Sequence, residues 1–99
     1  MQVSAWSNGG GTYGIRVGIR NRERFFPASW TRIEVEIEGR FYVFRLTAGF
    51  RNRCPEFRDR GTPVVREWLR QHRTLDWPSG DPPRMELIPL EGNRFQLVG

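Results

Sequence analysis

The residues best suited to chemistry in this sequence are arginines that alternate with aromatic side chains in one long segment. Residues 49–61 contain four arginines and two phenylalanines, with a glycine at each end and no hydrophobic period between them. This pattern is typical of a long loop, and long loops in small domains often carry function. Guanidinium groups bind phosphate oxygens, and aromatic rings stack on nucleic-acid bases. We therefore predict that this loop binds nucleic acid through Arg51, Arg53, Arg58, Arg60 and Phe50.

A structural interpretation of the same loop stays open from the sequence alone. Glu56 and Asp59 lie among the arginines and can neutralise two of the four positive charges. Phe50 and Phe57 can equally belong to the hydrophobic core.

A second group of arginines lies on a predicted strand. Between residues 13 and 20, apolar side chains alternate with glycine and arginine, and this period of two indicates a strand with one buried face. Arg16 and Arg20 fall on the other face together with Gly14 and Gly18, so no large neighbours cover their guanidinium groups. Glycine in a strand also marks a bulge or a barrel corner, which is the structural alternative. If this face and the loop lie on one side of the sheet, they form a phosphate-binding surface.

The charge balance permits an anionic partner and is unevenly distributed. The chain has 16 basic and 11 acidic residues, for a net charge of +5. Every basic residue is arginine, which is also what a GC-rich coding sequence favours, so the sum of charges is more informative than the residue type. Residues 14–32 carry a net +4 and residues 41–60 a net +3, whereas residues 33–40 carry −2. Two basic segments therefore bracket one acidic strand.

Cys54 and His72 are the one pair of residues that could act as nucleophile and base. The arginines around Cys54 would favour its thiolate form. His72, however, follows Trp68 and Leu69 on the apolar stripe of a predicted helix, which is typical of a partly buried structural histidine. Cys54 precedes a proline, which is typical of a turn. We therefore expect a non-catalytic protein with a structural thiol.

Three other patterns do not predict a catalytic or cofactor site. Glu34, Glu36 and Glu38 share one strand face at about 6.5–7 Å spacing, but no histidine or apolar pocket accompanies them, which is typical of a solvated face. Residues 9–11 are three glycines, and they lack the lysine and the following helix of a phosphate-binding loop. One cysteine and one histidine cannot form a conventional zinc site. We expect no cofactor and no metal.

The elements that must position these residues follow from periodicity and turn signals. Besides residues 13–20, alternation predicts strands over 32–38, 41–47, 85–90 and 94–98, with hairpin turns near Gly39 and Gly92. The strand that begins at residue 41 is apolar on both faces, so we expect it to be central. Thr62 and Pro63 are typical of a helix start, and an apolar stripe continues to about residue 73. The residues expected to be buried are Ile15, Val17, Ile33, Val35, Phe44, Val65, Trp68, Leu69, Leu87 and Leu97.

The sequence thus predicts an α+β domain with a curled antiparallel sheet or half-open barrel of about five strands, in the order β-ββ-α-ββ, and one packed helix. The length of 99 residues indicates one domain, over residues 13–99, and residues 1–12 are expected to form a flexible arm because of their glycines. The longest apolar run has four residues, so neither a transmembrane helix nor a signal peptide is predicted, and we expect a cytoplasmic location.

Two functions remain open at this point. The first is nucleic-acid binding, most simply of DNA although RNA is also compatible, through the arginine-bearing strand face and loop. The second is a protein-interaction or homo-oligomerising domain, because aromatic residues anchor protein interfaces and the chain has four tryptophans. Salt separates the two hypotheses, since phosphate binding weakens steeply as salt rises.

Overall fold

Seven strands form one strongly curled sheet, accompanied by three short helices, in this computed structural model of residues 1–99. The elements are β1 (Gln2–Ser7), β2 (Tyr13–Arg16), α1 (Ile19–Phe25), β3 (Arg32–Ile37), β4 (Arg40–Arg45), α2 (Ala48–Arg51), β5 (Glu56–Arg58), α3 (Val64–His72), β6 (Arg84–Pro89) and β7 (Arg94–Val98). The strand order is β4-β3-β7-β6-β1-β2-β5, and every neighbouring pair is antiparallel except β3 and β7.

The sheet is nearly closed into a barrel because its two edge strands, β4 and β5, come together. The rings of Phe44 on β4 and Phe57 on β5 lie 4.8 Å apart between centroids, although no backbone hydrogen bond joins these strands. The predicted α+β class with a curled, mostly antiparallel sheet is confirmed. The expected five strands and one helix are only approximate, since the chain forms seven strands and three helices.

The core fills the inside of the barrel, and the sequence identifies it well. All ten residues expected to be buried are buried. Strands β3, β6 and β7 each alternate buried and more exposed residues, because successive side chains point to opposite faces of a strand. The predicted hairpins are present: the β3–β4 turn contains Gly39 and the β6–β7 turn contains Gly92. The predicted long helix is α3.

The N-terminal segment is a strand where the sequence predicts a flexible arm. Strand β1 lies between β2 and β6, with Val3 and Ala5 buried in the core. The prediction is wrong because two small apolar residues are too few to establish a period before the glycines begin. Those glycines instead form the tight connection between β1 and β2.

The predicted strand over residues 13–20 ends early. Strand β2 stops at Arg16, and Gly18 adopts a φ of 84° that few side-chain-bearing residues tolerate, so the chain turns there into α1. Arg20 is therefore on a helix and not on the strand face with Arg16. Helix α1 ends at Phe25, two residues before Pro27, because a proline disfavours the helical conformation in the residue that precedes it.

Two further predictions about this half of the chain differ from the structure. Residues 49–61 are not one long loop, because they contain most of α2 and all of β5. Strand β4 is an edge strand rather than a central one, and the apolar side chains on its outer face, Phe41 and Val43, remain exposed.

Candidate nucleic-acid interface

The outer face of four adjacent strands, β6, β1, β2 and β5, carries two exposed arginines and one half-buried arginine. Directly opposed residues of antiparallel strands share a face of the sheet. One row across this face runs from Arg84 through Ser4 and Arg16 to Glu56, and the next runs from Trp6 through Gly14 to Arg58. We call this surface the basic wall, and it consists of Ser4, Trp6, Arg16, Arg58 and Arg84.

Gly14 allows Trp6 and Arg58 to meet across the strand that separates them. The Arg58 guanidinium carbon lies 4.4 Å from the centroid of the Trp6 ring, which is a cation–π contact. A Cβ at residue 14 would lie 2.3 Å from the carbonyl oxygen of Phe57. The strand glycine that the sequence analysis singled out thus serves close packing of strands and side chains rather than a bulge.

A buried carboxylate lies beneath two of the three arginines of the wall, Arg16 and Arg58. Glu56 is only 5% exposed, and its Oε1 accepts a hydrogen bond of 3.2 Å from Nη2 of Arg58. Arg16 is an ion-pair partner at 3.9 Å from Oε2, which is too long for a hydrogen bond, and Oε2 has no hydrogen-bond partner. Charge therefore holds Arg16 in place while its N–H donors remain available. Nearly half of the Arg16 side-chain surface, 47%, is exposed.

Arg51 is not part of this surface, because it binds the protein's own backbone. Its Nη1 donates to the carbonyl of Phe26 at 2.8 Å, and its Nη2 donates to those of Pro27 at 2.7 Å and Trp30 at 2.9 Å. Burial, followed by the charge of Arg22, lowers the pKa of Arg51. The Arg51 guanidinium thus ties α2 to the segment that follows α1, and it has few N–H donors left for a ligand.

Arg22 makes the reciprocal contact from α1 to α2. This buried side chain donates through Nη1 to the carbonyls of Phe50 at 2.9 Å and Asn52 at 2.8 Å. Each helix thus supplies an arginine that satisfies carbonyls just beyond or at the end of the other helix, where intrahelical partners are lacking. Phe50 itself is fully buried, so the stacking role predicted for it is wrong.

The remaining predicted arginines are exposed but lie outside the basic wall. Arg20 is the second residue of α1, Arg53 lies between α2 and β5, and Arg60 follows β5. None of the three forms an ion pair. Of the seven predicted site residues, the structure therefore brings together Arg16 and Arg58, with Arg20, Arg53 and Arg60 as separate exposed charges.

The acidic strand lies on a different part of the barrel. Strand β3 is separated from β2 by β7, β6 and β1, and its carboxylates contact neighbours of their own. Glu34 lies 3.8 Å from Arg94, and Glu36 accepts a hydrogen bond of 2.7 Å from Gln96. Three arginines, Arg32, Arg45 and Arg94, share this outer face with the glutamates, so the β3 side of the barrel is mixed in charge rather than acidic.

The cysteine and histidine that could act together are engaged separately. The His72 side chain is 45% exposed, and its ring packs beside Trp68 with centroids 5.4 Å apart, as expected for a partly buried structural histidine. Its Nε2 lies 2.5 Å from Oε1 of Glu38 in the β3–β4 turn. Cys54 is exposed.

Sequence analysis missed three members of the basic wall: Ser4, Trp6 and Arg84. Ser4 and Trp6 lie in the segment expected to be a flexible arm. Arg84 is the first residue of β6, and its side chain faces outward. The alternation that predicts β6 from Met85 onward also predicts, if extended by one residue, that Arg84 faces solvent.

Comparison with protein-family models, with curated proteins and with solved structures finds no match for this chain. None of the three helices is long and apolar enough to cross a membrane.

Proposed function

We propose that this domain binds DNA through the basic wall. The observation that carries the proposal is the availability of the Arg16 and Arg84 guanidinium groups on one exposed sheet face, next to a tryptophan. Arg84 forms no ion pair, and Arg16 is held only by a long contact to Glu56. Bidentate N–H donors of this kind suit phosphate oxygens, which receive half or more of the hydrogen bonds in protein–DNA complexes.

The charge distribution of the barrel supports a defined orientation on the nucleic acid. The basic wall holds three arginines against one buried carboxylate, whereas on the β3 side Glu34, Glu36 and Glu38 are balanced by three arginines. A polyanion is therefore attracted more strongly to the first surface than to the second. Arg58 is already stacked on Trp6, so the two side chains hold each other in place. They therefore lose little rotamer entropy when DNA binds.

Charge reversal on the basic wall tests the proposal. The variant Arg16→Glu/Arg84→Glu should lose about tenfold or more in affinity for a fluorescein-labelled duplex at low salt, measured by anisotropy. The matched control is Arg32→Glu/Arg40→Glu, which makes the same change in net charge at two exposed positions on the other side of the barrel. Equal losses in both variants, or no binding by the unmodified protein, would contradict the proposal.

A second candidate function is self-association through the outer face of β4. Phe41 and Val43 lie on this face, where they are 41% and 62% exposed. The same apolar patch of a second copy could cover them in a symmetric dimer.

The tryptophans that suggest self-association from the sequence do not support it in the structure. Trp68 is buried, Trp30 and Trp77 are partly buried against the core, and Trp6 is on the basic wall, so none of the four lies on β4. Sedimentation velocity over a concentration series tests the outer face of β4. We expect dimers that Val43→Lys abolishes, and a monomer at every concentration would overturn this candidate.

A further inference from the structure

A cleft of about 490 Å³ adjoins the basic wall. It lies among three segments: β1 over Ser4–Ser7, the glycine-rich β1–β2 connection, and the loop over residues 75–82. This volume is within the range of about 300–1,000 Å³ that is usual for small-molecule sites. Arg16 lines the cleft and also belongs to the basic wall, so the two surfaces are continuous.

The walls of the cleft are aromatic, and hydrogen bonds fix them in place. Trp6, Tyr13 and Trp77 line it, and the Tyr13 and Trp77 rings meet edge to face with centroids 6.1 Å apart. The Tyr13 hydroxyl donates to the carbonyl of Leu75 at 2.9 Å, which ties the loop to β2. A flat aromatic ligand can therefore stack on a prearranged surface, and one stacked base contributes about 1–3 kcal/mol in single-strand-binding proteins.

The β1–β2 connection is equally well held. The Asn8 Oδ1 accepts hydrogen bonds from the amides of Gly10 at 2.7 Å and Thr12 at 3.1 Å, and the Ser7 hydroxyl accepts one from Gly9 at 3.0 Å. This connection has no bulky side chain, so it bounds the cleft without filling it.

The cleft contains one carboxylate and one guanidinium, from Asp76 and Arg16. Residue 76 is held through its backbone, since its N–H and C=O both pair with the Thr74 hydroxyl, and its carboxylate has no hydrogen-bond or ion-pair partner. A guanidinium suits a phosphate, and a carboxylate accepts from the exocyclic amino group of a base. The two groups match the two ends of a nucleotide.

We propose that this cleft holds one unpaired, amino-bearing nucleobase, with its phosphate on Arg16. The inference rests on the proposed DNA binding and adds to it a preference for unpaired over paired bases. Single strands and bases extruded from a duplex both supply this ligand, because either presents a free base face and edge.

Three probes of related sequence test the proposal: a fully paired duplex, the same duplex with one bulged cytosine, and a single strand. We expect the bulged duplex, the single strand or both to bind about 5- to 150-fold more tightly than the paired duplex, which corresponds to one stacked base. A gain for only one of them identifies that source of the base. If the paired duplex binds and neither other probe gains, the cleft is not a base site while the proposed function stands. If no probe binds, the proposed function itself fails.

Substitutions in the cleft separate the base site from the basic wall. Trp77→Ala should remove the advantage of the unpaired probes and leave paired-duplex affinity unchanged, with thermal unfolding as a check on folding. Asp76→Ala keeps the backbone contacts, removes the acceptor, and should lose the preference for a bulged cytosine over a bulged thymine. Asp81→Ala is the matched control, because it removes a carboxylate from the same loop outside the cleft lining. A cytosine preference that survives in Asp76→Ala would overturn the role of the carboxylate.

Discussion

At the scale of single residues, the number of N–H donors still available separates structural arginines from candidate binding arginines. Arg22 and Arg51 direct their guanidinium groups at backbone carbonyls that lack helical partners. Arg16 and Arg84 have exposed side chains without such hydrogen bonds. Because a guanidinium has five donors and no acceptor, an arginine saturated by carbonyls stabilises the fold and contributes little to ligand binding.

Arg51 provides the clearest stability prediction. Arg51→Ala leaves three carbonyls without their charged donor, so we expect the free energy of unfolding to fall by about 1–3 kcal/mol in urea titrations. Arg53→Ala, at an exposed neighbouring position, should change it by no more than about 0.5 kcal/mol. DNA affinity should be unchanged in Arg51→Ala under conditions where it is folded. A stable Arg51→Ala with weakened DNA binding would restore the role predicted from the sequence.

The Asp59 carboxylate at the start of α3 makes the stability of the protein depend on pH. Its carboxylate accepts from the amides of Val65 at 2.8 Å and Arg66 at 3.0 Å, which lack helical partners at this end. Burial nevertheless raises the pKa of Asp59 above its usual value, outweighing these hydrogen bonds. Since the folded pKa exceeds the unfolded one, this group adds stability at acidic pH that is lost as pH rises through the folded pKa.

The corresponding experiment compares wild type with Asp59→Asn by thermal unfolding between neutral pH and about pH 4, the region around the unperturbed carboxyl pKa. We expect the stability of wild type relative to the variant to increase as pH falls. A relative stability that decreases over this interval would show that the helix amides dominate and that the pKa is lowered.

At the scale of elements, the barrel depends on the close approach of β2 and β5. Gly14→Ala would place a methyl group 2.3 Å from the Phe57 carbonyl oxygen and 2.8 Å from the Arg58 Cα. We expect a loss of about 1–3 kcal/mol in unfolding free energy, together with weakened DNA binding because Trp6 and Arg58 are forced apart. Gly10→Ala is the control, since its nearest contact would be at 3.5 Å. Equal stability of the two variants would contradict this packing.

The elements that the sequence predicts are those with a long enough period. Alternation over five or six residues identifies β3, β6 and β7, an apolar run after a glycine turn identifies β4, and the apolar stripe identifies α3. Strand β5 and helix α2 have three and four residues, which is too short for a pattern, and they are held by tertiary contacts such as the Arg22 hydrogen bonds. The edge position of β4 also depends on partners far away in the chain.

The candidate site, too, could be predicted only where a local sequence pattern was sufficient. Arg16 was identified because it lies on a predicted strand face, and Arg58 because it lies in a basic segment. Arg84 joins them through its pairing with Ser4, 80 residues away, and Trp6 meets Arg58 because Gly14 pairs with Arg58, 44 residues away. Local sequence could not distinguish Arg51 from Arg53, because the carbonyls that bind Arg51 are 21–25 residues away.

At the scale of the whole molecule, the distribution of charge matters more than its sum. The net charge is +5, yet the charges on the β3 side of the barrel balance, whereas the β1–β2–β5 side has an excess of arginine. This asymmetry predicts that a polyanion docks on one side only. Substitutions of equal charge on the two sides should therefore differ in effect, which net charge alone would not produce.

The salt dependence of duplex binding tests the central claim most directly, because counterion release counts phosphate contacts. With Arg16, Arg58 and Arg84 each on a phosphate, the plot of log affinity against log salt should have a slope of about −3 or steeper, at about −0.9 per contact. In Arg16→Glu/Arg84→Glu the slope should become shallower by about 2 units. Arg32→Glu/Arg40→Glu should keep the slope of the unmodified protein. A shallow slope in the unmodified protein, or equal slopes in all three, would contradict DNA binding by the basic wall.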